Sequence, residues 1–176
     1  GLKTASRFLL IVALSLTAST VQAAPPANDA LTRRIQLAGS TGTMPGTTVS
    51  ATVEPGEPSH ATDSAGSVWY RWKPVLGGRC VISVKTEKLD IILAVYTGDS
   101  LDSLTPENRY KNLTSPTVSL KAREPFTSGA RVEFDADPNT LYSIAIDGDR
   151  LTSGDFTIKV SKSKNPLDPI EVVLPA

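Results

Sequence analysis

The chain has 176 residues, enough for one sizeable core and too few for two. Eighteen Lys and Arg balance eighteen Asp and Glu, and no basic cluster stands out, so a nucleic-acid footprint is excluded. Aromatics make up 6% among frequent Gly, Pro, Ser and Thr, a composition that favours short strands joined by many turns.

The first stretch reads as an address. Lys3 and Arg7 form a basic region, residues 8–17 are apolar, and Val21-Gln22-Ala23 fits a small-residue cleavage site. Residues 1–23 are therefore expected to be a secretory signal peptide, with an apolar run too short to span a bilayer permanently. The chain opens on Gly1 rather than Met, so an upstream start is expected. Without Lys3 and Arg7 the remaining chain carries a net charge of minus two. Residues 24–161 are expected to fold as one domain, and 162–176, rich in Lys, Ser, Asn and Pro, to form a linker or tail. No second hydrophobic span follows the first, so a soluble domain outside the cytoplasm, secreted or periplasmic, is expected.

After the cleavage site, Pro25 and Pro26 impose an extended lead-in ending at Asn28-Asp29. Residues 35–37 suggest a short strand, 39–46 a Gly/Thr/Ser turn region, and 47–53 a second strand. Residues 54–61 form a loop with two prolines and a glycine, in which Glu54 and Glu57 can converge on one point. The densest aromatic run follows: Ser67-Val68-Trp69-Tyr70-Arg71-Trp72, bounded by Gly66 and Pro74. Alternation puts Val68, Tyr70 and Trp72 on a core face and Ser67, Trp69 and Arg71 on a partly covered opposite face. Gly77-Gly78 then predicts a hairpin with a strand over 79–85.

Residues 89–97 form a nearly continuous apolar run closed by Gly98, better a buried strand than a helix. A brief helical turn is expected over 100–105, and further strands over 117–121, 130–134, 141–146 and 156–160. The sum is an all-β chain of about nine strands: a two-sheet antiparallel β-sandwich. Cys80, the single cysteine, excludes an internal disulfide and alternates with Ile82 and Val84 as a small buried hydrophobe.

Several landmarks occur in a recognisable order: Asn28-Asp29, Glu54-Pro55-Gly56-Glu57-Pro58-Ser59-His60-Ala61, Ser67-Val68-Trp69-Tyr70-Arg71-Trp72, Leu93-Ala94-Val95-Tyr96-Thr97-Gly98, Arg131-Val132-Glu133-Phe134 and Tyr142-Ser143-Ile144-Ala145-Ile146-Asp147-Gly148. Across residues 28–160 the chain resembles the bacterial pre-peptidase C-terminal domain family, whose relatives include collagen-binding domains of clostridial collagenases. The resemblance implies a jelly-roll-like, extracellular sandwich without catalysis of its own, appended to hydrolases or repeated in surface proteins. Some members of that family hold calcium, Ca2+, and the positions here that match their ligands are Asn28, Asp29, Glu54 and Glu57. The chain departs from the family pattern at Ala30-Leu31, where an aromatic is usual, and at Tyr110-Lys111-Asn112-Leu113, where many members carry an acidic loop.

Oxygen-rich loops suit calcium, which takes six to eight oxygen ligands. Against that stands the plain reading of solvated loop residues capping a turn. His60, the only histidine, lies near Glu57, Ser59 and Asp63. Neighbouring positions in a Pro-rich loop rarely give hydrolase geometry, and no Gly-x-Ser-x-Gly elbow is present. A lone His with no second His or suitable Cys also disfavours zinc. Trp69, Arg71 and Tyr110 are the candidates for stacking a polymer, against the commoner fate of such rings as core. The expected function is a non-catalytic secreted module binding an extracellular polymer, a collagen-like protein or a polysaccharide, with a catalytic domain of the same full-length protein as a further partner. The alternative is a structural spacer of a larger hydrolase or surface protein.

Overall fold

The computed structural model describes residues 23–39, 42–60, 64–87, 91–106, 117–118, 128–148 and 151–162. The expected signal peptide lies outside the described residues except for Ala23, and the expected tail except for Lys162. Ten strands appear among the described residues: β1 (Ile35–Gln36), β2 (Gly42–Thr47), β3 (Val68–Trp72), β4 (Gly78–Thr86), β5 (Ile91–Thr97), β6 (Thr105–Pro106), β7 (Thr117–Val118), β8 (Ser128–Ala136), β9 (Tyr142–Gly148) and β10 (Asp155–Lys162). Two one-turn 3-10 helices, Leu31–Arg33 and Leu101–Ser103, complete the set.

The strands form two layers. One sheet runs β1-β3-β9-β5-β6, with β7 also on β5, and the other runs β2-β10-β4-β8. Every pairing is antiparallel except the two-residue β1–β3 pair. This is the expected β-sandwich.

The period-two pattern explains the core. Val68, Tyr70 and Trp72 from β3 meet Ile91, Leu93 and Val95 from β5 and Tyr142, Ile144 and Ile146 from β9. Facing them across the gap are Cys80, Ile82 and Val84 of β4, Val132 and Phe134 of β8, and Phe156, Ile158 and Val160 of β10. Trp72, Phe134 and Tyr142 pack as a ring cluster with centroids 5.1–6.4 Å apart. The opposite face of the first sheet is also covered. There Trp69, Ala94, Tyr96 and Ala145 make a second apolar cluster with Leu31, roofed by Leu101 and Leu104. The partly covered outer face expected for Ser67 and Trp69 is thus present, and the cover is nearly complete.

Two expectations need correction. The strand expected over residues 47–53 is absent beyond Thr47: residues 48–53 turn, with Ser50 at φ 61, a left-handed conformation incompatible with a ladder. The strand lies earlier, at Gly42–Thr47, where β10 recruits a Gly-, Thr- and Pro-containing segment by pairing Met44 with Ile158 and Gly46 with Phe156. Nor do β3 and β4 make a hairpin. β3 pairs with β9 and β1, whereas β4 pairs with β10 and β8 in the other sheet. The Gly77-Gly78 corner carries the chain from one layer to the next.

Candidate functional site

The entrance segment and the Pro-rich loop close over the outer face of the first sheet. Asn28 joins the sheet edge-on: its carbonyl accepts from the Trp69 amide at 2.9 Å, and its side-chain amide donates to the Trp69 carbonyl at 3.0 Å. Asp29 receives both the Thr52 amide and the Thr52 hydroxyl at 2.7 Å. Glu54 accepts from the Leu31 amide at 2.9 Å, and Glu57 accepts from the Glu54 amide at 2.8 Å. The entrance does lie beside the loop, as the resemblance implied.

These bonds bear directly on calcium. The four residues lace the entrance to the loop and to β3, and each oxygen of Asp29 accepts one hydrogen bond from Thr52. Among the described residues no group of three His, Cys, Asp or Glu side chains is arranged to hold a metal ion. Calcium takes six to eight oxygens, so a site here would share these carboxylates with the hydrogen bonds that build the loop.

A different group of polar side chains converges beneath the loop. The His60 ring packs against Trp69 and Tyr96, with centroids 5.6 and 5.7 Å away. Its Nδ1 lies 2.9 Å from Ser67 Oγ and 3.8 Å from carboxylate oxygens of both Glu57 and Asp147. Asp147 accepts from Ser64 Oγ at 2.5 Å and from the Gly148 amide at 2.6 Å. The Glu57, His60 and Asp147 side chains are at most 1% exposed.

Burial is the main influence on the titrating groups here. It raises the Glu57 carboxyl above its ordinary value, with the Asp147 charge adding to the rise. The Ser67 hydroxyl, the Glu54 amide and His60 oppose it. Burial also pushes the Tyr96 hydroxyl far above the usual tyrosine range, and the Glu57 charge adds to that. His60 Nδ1 and Ser67 Oγ share one hydrogen bond whose direction follows the imidazole tautomer. His60 Nε2 has no hydrogen-bond partner among the described residues, and neither has Trp69 Nε1.

A Ser–His–Asp hydrolase uses opposite ring nitrogens for its serine and its carboxylate. Here one nitrogen serves the serine and both carboxylates, and the assembly is sealed from solvent. The arrangement is that of a buried polar lock joining the loop to the sheet.

Of the three candidate ligand-binding residues, Trp69 needs correction. Trp69 is fully buried, so its ring offers no exposed platform: the 3-10 turn at Leu31 and the loop around His60 cover it. Arg71 is exposed on β3. Tyr110 lies outside the described residues, as does Asp63. The residues missed were Ser67 and Asp147. Parity had placed Ser67 on the Trp69 face, and the pairing of Val68 with Ile146 sets Ser67 beside Asp147. An aspartate closing an apolar strand was the available signal.

Two concavities open elsewhere. One is an open groove of about 940 Å³ bordered by Pro26, Ala27, Pro45, Thr157 and the ends of β4 and β10, over Tyr70 and Phe156. The other, about 530 Å³, lies at the opposite end of β3 beside Trp72, Pro74 and Leu76.

No family model matches the chain, and no curated protein matches it. Among solved structures it is similar to a crystal structure of the pre-peptidase C-terminal domain of collagenase from Bacillus anthracis. The identity is 12% and the TM-score 0.43, over 73% of this chain and 94% of that one. A likeness at this level assigns no role to any residue. No helix among the described residues is long and apolar enough to cross a membrane.

Proposed function

We propose that this chain is a non-catalytic β-sandwich module of an exported protein that binds an extracellular polymer, a polysaccharide or a collagen-like protein. The observation that carries the reading is the open groove of about 940 Å³ between the entrance segment and the ends of β2, β4 and β10. Its walls are fixed elements. Gly46 leaves no room for a side chain under Tyr70 and Phe156, so the floor is close-packed. Its rim alternates apolar Pro26 and Pro45 with charged Lys85, Glu87 and Asp155, a mixture suited to a polar chain with C–H faces. Catalysis is left out of the reading because the one histidine is sealed with its carboxylates beneath the loop.

Retention on insoluble collagen, chitin, cellulose and peptidoglycan tests the proposal, with Thr157→Arg as a groove-blocking variant. Retention on one of these polymers that Thr157→Arg abolishes supports it. Absence of retention on all four, or retention that the variant leaves intact, overturns the groove assignment. The spacer reading is favoured by the spending of Asn28, Asp29, Glu54 and Glu57 on internal bonds, and it expects no retention on any polymer.

A further inference from the structure

The smaller cavity has the make-up of a ligand site. Its volume of about 530 Å³ lies within the ~300–1,000 Å³ typical of small-molecule pockets. The floor is Trp72 and Cys80, both buried, and the Trp72 indole N–H is already satisfied by the Gly39 carbonyl at 2.8 Å. Pro74, Val75 and Leu76 supply an apolar wall, and Lys73, Arg79 and Lys162 stand around it.

Two features separate this cleft from an accidental hollow. Val75 and Leu76 are 78% and 68% exposed, on a corner that is held rigidly outward. The Pro74 carbonyl accepts from the Asn139 amide at 2.7 Å. Gly77 presses so close to Pro138 and Ala136 that a Cβ there would lie 2.8 Å from the proline ring. The backbone that displays these apolar side chains is therefore braced by the fold, which lowers the ordering cost a ligand meets. The second feature is charge. Asp135 holds Arg79 through two hydrogen bonds of 3.2–3.3 Å, but Lys73 and Lys162 have no ion-pair partner among the described residues. Lys162 sits directly opposite Cys80 in the β10–β4 register, so its stem leaves from the core-facing side at the open end of the sandwich.

We propose that this cleft binds a small anionic amphiphile, its apolar body against Trp72, Pro74 and Leu76 and its acidic group between the ammonium groups of Lys73 and Lys162. An apolar slot needs a hydrophobic body, and unpaired cations at its mouth select the sign of the head. A bilayer surface would meet Val75 and Leu76 but would leave the recess down to Trp72 unfilled. The site is separate from the groove, and its test does not depend on polymer binding.

The probe is anilinonaphthalene sulfonate added to the folded chain, with decanoate and dodecyltrimethylammonium as competitors. One saturable site is expected, displaced by decanoate and not by the cationic amphiphile. Because charge reversal replaces two attractive contacts with repulsion, the double variant Lys73→Glu/Lys162→Glu is expected to weaken binding about tenfold or more. Leu76→Asp should abolish it, with an unchanged circular dichroism spectrum confirming the fold. An 11-bromoundecanoate should quench Trp72 fluorescence, and Trp72→Phe should remove that quenching while Trp69 still emits. Non-saturable binding, equal competition by the cation, or indifference to the charge reversal would overturn the proposal. So would adsorption to phosphatidylglycerol vesicles without binding of monomeric decanoate.

Discussion

His60 Nδ1 and Ser67 Oγ, 2.9 Å apart, join the Pro-rich loop to the residue that leads into β3. The bond closes a seven-residue span and carries the loop across Trp69 and Tyr96, whose rings flank the imidazole. Removing the ring leaves a cavity between Trp69 and Tyr96 and takes its hydrogen-bond partner from Ser67, so His60→Ala is expected to cost about 3 kcal/mol in urea unfolding. Ser67→Ala removes one hydroxyl and is expected to cost ~1 kcal/mol. A His60→Ala variant as stable as the parent would show that the loop does not depend on this bond.

Glu57 gives the cluster a pH signature with a definite sign. Burial holds its carboxyl above the ordinary 4.5, so the folded chain favours the protonated form. Stability from this source is present at acid pH and is lost as pH rises through the folded value. Glu57→Gln does not titrate. The variant's melting temperature should therefore gain on the parent as pH rises above the ordinary carboxylate value of 4.5. His60 and Asp147 face the same carboxyl, and Asp147 adds to the rise. Repeating the comparison in an Asp147→Asn background should shrink the difference, and a pH-independent offset between variant and parent would contradict the account.

How far the sequence reveals this fold depends on whether the deciding force is local. Val68, Tyr70 and Trp72 are legible because each faces one core and parity alone sorts them. β2 is not legible: its two Gly and its Pro disfavour a strand, and the segment extends because β10 offers a register for it. The Gly77-Gly78 signal correctly marks a turn, but the partners of β3 and β4 are chosen by the whole sandwich. The site behaves likewise. Asn28, Asp29, Glu54 and Glu57 were recognisable as a group, whereas their bonds to Thr52, Leu31 and Trp69 depend on folded neighbours.

Calcium makes a direct test of those bonds. Because Thr52, Leu31 and Glu54 already supply hydrogen to the three carboxylates, excess EDTA is expected to leave the melting midpoint unchanged. Adding calcium should not raise it. A midpoint that climbs with calcium concentration would show that the ion competes successfully with these donors.

Arg34 is a brace whose value lies in its fork. One guanidinium nitrogen donates to Ser143 Oγ at 2.6 Å and to the Gly98 carbonyl at 3.5 Å, and the other donates to the Asp99 carbonyl at 3.2 Å. The Asp99 carboxylate is 3.5 Å away but 78% exposed, so water screens that ion pair. Arg34→Ala is expected to cost ~1–2 kcal/mol, and Arg34→Lys should not restore it, since one ammonium cannot span both partners. Asp99→Ala, by contrast, should stay within ~0.5 kcal/mol of the parent.

Gly46 is where close packing is least forgiving. A Cβ built there would lie 2.2 Å from the Tyr70 hydroxyl and 2.5 Å from the Phe156 ring, both fixed in the core. Tyr70 and Phe156 already meet edge-on at 6.2 Å, so neither ring can withdraw without disturbing the other. Gly46→Ala is therefore expected to destabilise the domain by ~1–3 kcal/mol, lowering the melting midpoint by several degrees. Tyr70→Phe removes the hydroxyl nearest the new methyl. The double variant Gly46→Ala/Tyr70→Phe should consequently lose less than the sum of the two single changes. Strict additivity would mean that the alanine is accommodated by a shift of β2 away from the core rather than by contact with these rings.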